Sequence, residues 1–352
     1  MPARSDLGAE RRSLVLVAGS GRSGTSLFTG ILQRLGFHVP RPEVPADSTN
    51  PKGFAESQWV VDFHTAALRR AGVQVSDARP TAWAHMAQVV VEDEMVGKLR
   101  RWLDSQFKEA DHLIIKDPRL SWFLPLWTRS AEDFGVTPRL ATVLRHPAAV
   151  VESKQRSYGG WESEVGRTAG WLNQALFTER ATREAARVFV RYEDILDDWT
   201  TSVARVGQEL GLKVIQDAPA ASIVRVHDFV DRNLSRSRAT WEDFEIPVAL
   251  REQVDEVWEL VSQLADVGVN TEEVHPRLDA ARAAYISFYE DAEAIAQSSI
   301  VAAGRRRGRA AHQSSFLVRA SARVPKRYRA KVPLRWRRAV FRALNRSRPA
   351  RV

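Results

Sequence analysis

Between residues 19 and 26 the chain reads Gly-Ser-Gly-Arg-Ser-Gly-Thr-Ser, directly after the apolar run Leu14-Val15-Leu16-Val17-Ala18 and directly before a helical pattern from Leu27 to Leu35. A glycine-rich turn that opens a helix points several backbone N–H groups at one place, where the aligned peptide dipoles add positive potential. Such a cradle holds phosphate; the plainer alternative is a tight strand-to-helix turn with no ligand. Gly19, Gly21 and Gly24 permit close backbone approach, Ser23, Thr25 and Ser26 add hydroxyls, and Arg22 adds a fixed cation. The pattern departs from G-x-x-x-x-G-K-[ST] where it matters most, because Thr25 replaces the lysine that reaches β- and γ-phosphates. A donor with a single 5′-phosphate chain needs no such lysine.

Three further clusters follow apolar runs. His112-Leu113-Ile114-Ile115 leads into Lys116-Asp117-Pro118-Arg119, putting charge at the C-terminal end of a strand, where open α/β sheets place their ligands. The run Arg139 to Leu144 ends in Arg145-His146-Pro147, with Pro147 near the first position of a helix and Ser153 about two turns inside it. A phosphate over that first turn takes a forked contact from Arg145 and a hydroxyl bond from Ser153. After the short strand 187–191, Tyr192 either stacks on a base or fills the core. Glu56 lies just before a helix marked by Trp59, Val60, Phe63, Ala67 and Leu68, as either a capping carboxylate or a general base.

These motifs together resemble the sulfotransferase superfamily. Arg22-Ser23-Gly24-Thr25-Ser26 is similar to its 5′-phosphosulfate loop, Lys116-Asp117-Pro118-Arg119 to a segment of its bacterial branches, and Arg145, Pro147 and Ser153 to its 3′-phosphate site. The resemblance spans residues 14 to about 240. It implies 3′-phosphoadenosine 5′-phosphosulfate (PAPS) as co-substrate, with the loop from Gly21 to Ser26 on the phosphosulfate, Arg145 and Ser153 on the 3′-phosphate, and Tyr192 near the adenine. A late basic loop would add Arg232 and Arg236, although the Gly-x-x-Gly-x-x-Lys of cytosolic animal enzymes is absent. The implied reaction moves a sulfuryl group to a hydroxyl or amine of a glycan, glycolipid or small molecule, with no metal. Arg22 is the first catalytic cation, helped by Lys116 or Arg119. The family uses a histidine or a glutamate as base, and Glu56 ranks first, ahead of Glu43, His64 and Asp117. Trp83, Trp161 and Trp171 either line the acceptor site or pack in the core.

The elements needed to position these residues are those of a three-layer, P-loop-type α/β fold with a central parallel sheet. The expected organisation is an N-terminal segment 1–12, a domain 13–300 that is mainly helical from 192, and a basic tail 301–352. Irregular chain is expected at 79–87, and helices at 89–107, 162–184, 195–210 (ended by Gly211), 247–265 and 271–300. With 352 residues and 44% apolar content a full core can form, and no apolar run has the roughly 18 residues of a membrane span. The absence of cysteine excludes disulfides and thiolate chemistry and fits a reducing cytoplasm, and no H-E-x-x-H pair supports zinc.

The net charge of +9 hides two regions of opposite sign. Of the 52 basic residues, 17 lie in 301–352 with no acid among them, so the remainder carries 35 bases against 43 acids, a balance of −8. The tail reads as mostly disordered, with an amphipathic helix near 334–344: Leu334, Trp336, Val340, Phe341 and Leu344 share one face, ringed by arginines. That pattern fits the anionic inner face of a membrane, a solvated tail, or, ranked behind these, nucleic acid. Two rival classes stand beside the sulfotransferase reading: a P-loop kinase or other nucleotide-binding enzyme, and a non-enzymatic membrane- or polyanion-binding protein. Oligomeric state is left open.

Overall fold

Alternation along one strand sets the architecture. Leu14 and Leu16 face one way from β1 (Ser13–Ala18) and Val15 and Val17 the other, and all four are fully buried, so both faces of the sheet must be covered. The computed structural model describes residues 12–159, 162–231 and 239–322. Strands β2 (His112–Lys116), β3 (Arg139–Leu144) and β4 (Arg187–Arg191) join β1 in one four-stranded parallel sheet of order β2-β1-β3-β4. Register pairs Leu14 with Leu113, Leu16 with Leu140 and Leu144 with Arg191. The four strands coincide with the four apolar runs of the sequence.

Helices α1 (Thr25–Leu35), α2 (Gln58–Ala71), α3 (Ala82–Val90) and α4 (Asp93–Glu109) connect β1 to β2, and α5 (Leu124–Ala131) connects β2 to β3. Helices α6 (Pro147–Tyr158) and α7 (Glu164–Ala181) lead to β4. Then follow α8 (Tyr192–Asp197), α9 (Trp199–Glu209), α10 (Lys213–Gln216), α11 (Ala220–Phe229), α12 (Val248–Gln263) and α13 (Thr271–Ala322). On one face of the sheet, α2 to α5 enclose a core with Trp122, Trp127 and Leu103; on the other, α1 and α9 pack Phe28, Ile31 and Val206 against Val15 and Val143. This is the expected three-layer α/β arrangement.

Boundaries differ in five places. The stretch expected to be irregular at 79–87 forms most of α3, and the helix expected from Val89 breaks at the extended Glu92, so that Asp93 and Glu94 begin α4, where the helix dipole favours acids. The helix expected from Ile195 to Leu210 is two helices, because the Asp198 carboxylate accepts from the N–H groups of Thr200 and Thr201 at 2.9 and 3.3 Å and caps a new start. Helix α7 begins and ends inside the expected 162–184. Helix α13 continues past Ile300 to Ala322.

The chain divides into two compact units, Met1–Ile286 and Ser287–Val352, and the sheet and the site belong to the first. Residues 1–11, Trp161, Arg232, Arg236 and the tail helix expected at 334–344 lie outside the described residues. Among the described residues no helix is long and apolar enough to cross a membrane. Because β1 connects toward β2 and β3 toward β4, on opposite sides, the sheet opens a crevice at the C-terminal ends of β1 and β3.

Candidate functional site

Two glycines in the loop after β1 are required by space. Gly19, at φ +140°, approaches β3 so closely that a Cβ would lie 2.6 Å from the Val143 carbonyl oxygen, and Gly24, at φ +91°, would put one 2.1 Å from the Tyr192 ring. Between them Arg22 adopts φ +75°, a left-handed conformation rare for a side-chain-bearing residue. Its side chain explains what holds it there. Nε donates to Ser153 Oγ at 3.0 Å, and the two terminal nitrogens donate to the Thr49 carbonyl at 3.3 and 3.2 Å.

Arg145, at the end of β3, donates to the carbonyl oxygen of Arg22 at 3.0 Å and lies with its guanidinium carbon 4.7 Å above the Tyr192 ring. It is 8% exposed, and its Nε is buried without a hydrogen-bond partner among the described residues. Burial lowers its pKa, but a guanidinium remains charged across the working range. Arg22, Arg145 and Ser153, far apart in sequence, therefore converge on the mouth of the loop. Tyr192 is buried in the core beneath them, its own hydroxyl pushed up by burial, and positions Gly24 and Arg145 by packing.

Lys116 comes from the end of β2 to the start of α1. Its ammonium donates to Ser26 Oγ at 3.0 Å, to the Phe54 carbonyl at 3.2 Å and to Glu56 Oε1 at 2.5 Å. Glu56 is thus neither a helix cap nor an isolated carboxylate: it is 7% exposed and paired with a buried cation beside the loop. Burial pushes its carboxyl up, Lys116 opposes this and the charge of Asp117 adds to it. Asn50 Nδ2 donates to the same Ser26 hydroxyl at 3.2 Å. Thr49 and Asn50 are site residues that the sequence reading passed over; the one local signal was Asp47, whose carboxylate accepts from the N–H of both and fixes the turn.

The other candidate bases are engaged elsewhere. His64 is fully buried, stacked 3.9 Å from Phe123, and accepts from Trp127 Nε1 at 3.1 Å on its Nε2. Its proton therefore sits on Nδ1, 3.5 Å from Asp117, and burial holds the ring neutral. Burial would raise Asp117, but His64 and Arg119 hold it below the usual carboxylate range. Asp117 accepts from the Arg119 N–H at 2.6 Å and from its guanidinium at 3.1 Å, so this triad orients Arg119. Glu43 accepts from Gln33 at 2.9 Å. Trp171 is buried against Trp258, whereas Trp83 is 53% exposed on α3. Among the described residues no group of three or more acids and histidines is placed to hold a metal ion.

No protein-family model matches the chain, and no curated protein matches it in sequence. The solved structures to which it is similar include three sulfotransferases. The sulfotransferase domain of the olefin synthase of Synechococcus PCC 7002 is 18% identical, with a TM-score of 0.43 over 71% of this chain and 94% of that one. The sulfotransferase domain from the curacin biosynthetic pathway is 13% identical, with a TM-score of 0.41 over 71% and 98%. A sulfotransferase from Mycobacterium tuberculosis H37Rv is 15% identical, with a TM-score of 0.40 over 70% and 76%. With likeness this distant, what the site does is read from its own residues.

Proposed function

We propose that this chain transfers a sulfuryl group from PAPS to a hydroxyl or amine of a glycan, glycolipid or small-molecule acceptor. One observation carries the reading: Arg22 of the glycine loop donates to Ser153 and accepts from Arg145, partners 131 and 123 residues away, so the two candidate phosphate motifs of the sequence lie side by side. A nucleotide with phosphate at both its 5′ and 3′ ends suits two anion-binding centres held this close together. The unpartnered Nε of Arg145 fits such a ligand. The loop N–H groups with Ser23, Thr25 and Ser26 would hold the 5′ end, and Arg145 with Ser153 the 3′-phosphate.

In the reaction the acceptor oxygen or nitrogen bonds to sulfur as the bond from sulfur to the bridging oxygen breaks, and adenosine 3′,5′-bisphosphate leaves. Glu56 is positioned to take the acceptor proton, its carboxyl raised by burial toward a better base. Arg22 and Lys116 spread the negative charge that develops on the leaving oxygen. Against a kinase reading, the loop has no lysine, and the cation that Lys116 supplies from β2 is matched by Glu56.

Calorimetry on the full chain tests this. Adenosine 3′,5′-bisphosphate should bind more tightly than 5′-AMP or ATP, and labelled PAPS should pass its sulfuryl group to a component of a host lipid and glycan extract. Tighter binding of ATP would overturn the reading in favour of a kinase.

A further inference from the structure

Arg145 has the character of an anion site: a buried cation with no carboxylate paired to it among the described residues and an N–H to spare. The same character recurs one residue beyond Ser153. Lys154 is 7% exposed on α6, and among the described residues its ammonium makes one hydrogen bond, 2.8 Å to the neutral hydroxyl of Ser76. Among the described residues it forms no ion pair. Arg167, in the first turn of α7, is 4% exposed; one terminal nitrogen donates to the Gly159 carbonyl, while Nε and the other terminal nitrogen are buried without hydrogen-bond partners among the described residues. The nearest acid is the part-exposed Glu162, whose Oε2 stands 3.7 Å from Arg167 Nε, beyond hydrogen-bond reach.

Burial pushes the Lys154 ammonium down to about 8, with Glu162 opposing and the charge of Arg167 adding to the effect. The other buried lysine, Lys116, is matched by Glu56, and the half-buried Arg183 and Arg187 are matched by Glu179. Two neighbouring desolvated cations with donors left over are costly unless an anion completes them. The nucleotide phosphates already have the loop, Arg145 and Ser153. Lys154 instead reaches Ser76, in the segment that leads to α3 and the exposed Trp83, and one turn along α6 Tyr158 is 61% exposed.

We propose that Lys154 and Arg167 form a subsite for an oxyanion group carried by the acceptor, a carboxylate, sulfate or phosphate, so that the enzyme acts on molecules that are already negatively charged. The word acceptor rests on the sulfuryl-transfer reading; the anion site does not. The ammonium is charged below its pKa, so anion affinity is fully present at neutral pH and weakens as pH rises through about 8.

The test follows the Lys154 ammonium by NMR in the full chain with isotope-labelled lysine, saturated with adenosine 3′,5′-bisphosphate, as excess sodium sulfate replaces sodium chloride at constant ionic strength. Sulfate should raise the Lys154 titration midpoint by about one unit, as a new adjacent anion does, and Arg167→Gln should abolish most of that rise. A midpoint that sulfate leaves unmoved overturns the proposal. So does a midpoint raised by the bisphosphate alone with no further response to sulfate, because the site then belongs to the donor. Calorimetry of the bisphosphate is read separately: if it does not bind but sulfate still moves Lys154, the donor reading fails and the anion site stands.

Discussion

Arg145, Glu56 and Lys154 are three buried ionisable groups with three different fates. Arg145 faces the loop with a donor unspent, so Arg145→Ala should weaken adenosine 3′,5′-bisphosphate by about 1.5 to 3 kcal/mol while changing 5′-AMP little. Equal losses for both ligands by calorimetry would remove the 3′-phosphate assignment. Glu56→Gln keeps the shape of the Lys116 partner but takes no proton, so turnover should fall by roughly 10² or more at nearly unchanged nucleotide affinity. A base works deprotonated, so the wild-type rate should drop as pH falls through the raised Glu56 pKa, and that acid limb should vanish in the variant; unaltered turnover would sink the assignment. Lys154 is tested through stability. Its folded value of about 8 lies below the roughly 10.4 of an unfolded lysine, so the unfolded chain binds the extra proton between those values and wild-type stability rises with pH there. Lys154→Met should therefore be more stable than wild type near pH 7, by on the order of 2 kcal/mol, with the gap closing by pH 10, as thermal denaturation would read.

At the scale of elements, the site is a junction of strand ends and helix starts held by contact at Gly24. The residue caps α1 in a left-handed conformation and lies flat on the Tyr192 ring at the start of α8, which in turn carries Arg145. Gly24→Ala would face both backbone strain and the ring, and should lose roughly 2 to 4 kcal/mol in urea unfolding. Tyr192→Leu in the same chain should return part of that loss, whereas a purely conformational penalty would not respond. The pairing of Lys116 with Ser26 and Glu56 works similarly, tying β2, α1 and the segment before α2 together. Movement of any one of these elements therefore displaces Lys116, Glu56 and the glycine loop together.

For the whole molecule, charge separates the acidic remainder from the basic residues 301–352, and the tail is proposed to hold the enzyme at an anionic membrane surface. Each cation near such a surface contributes about 1 kcal/mol, and salt screens that attraction away. The full chain should cosediment with anionic vesicles at low salt. Trp336→Ala with Phe341→Ala should remove the part of binding that survives high salt, since the apolar face alone resists screening. A chain that ignores the vesicles but retains RNA would make the tail a nucleic-acid binder.

The four strands and the glycine loop were legible because their signals are local: an apolar run of strand length, and glycines where the backbone must turn or approach closely. Arg145 and Ser153 were legible as a spacing within one strand and helix. Helix boundaries at Glu92 and Asp198 were less so: at Asp198 a side chain caps a new helix at a fraction of the energy that sets the core, and at Glu92 the backbone turns extended with no side-chain cap to mark the break. By itself the sequence determined which segments are strands and where a glycine loop leads from the first strand into a helix. Only the tertiary structure decided that Arg22 meets Ser153, that Glu56 is held by Lys116, that His64 is sealed behind Trp127, and that Arg167 keeps two buried nitrogens without a hydrogen-bond partner among the described residues. Strand order brings these partners together, and strand order follows from how two apolar faces of a sheet are covered at once, which no local pattern records.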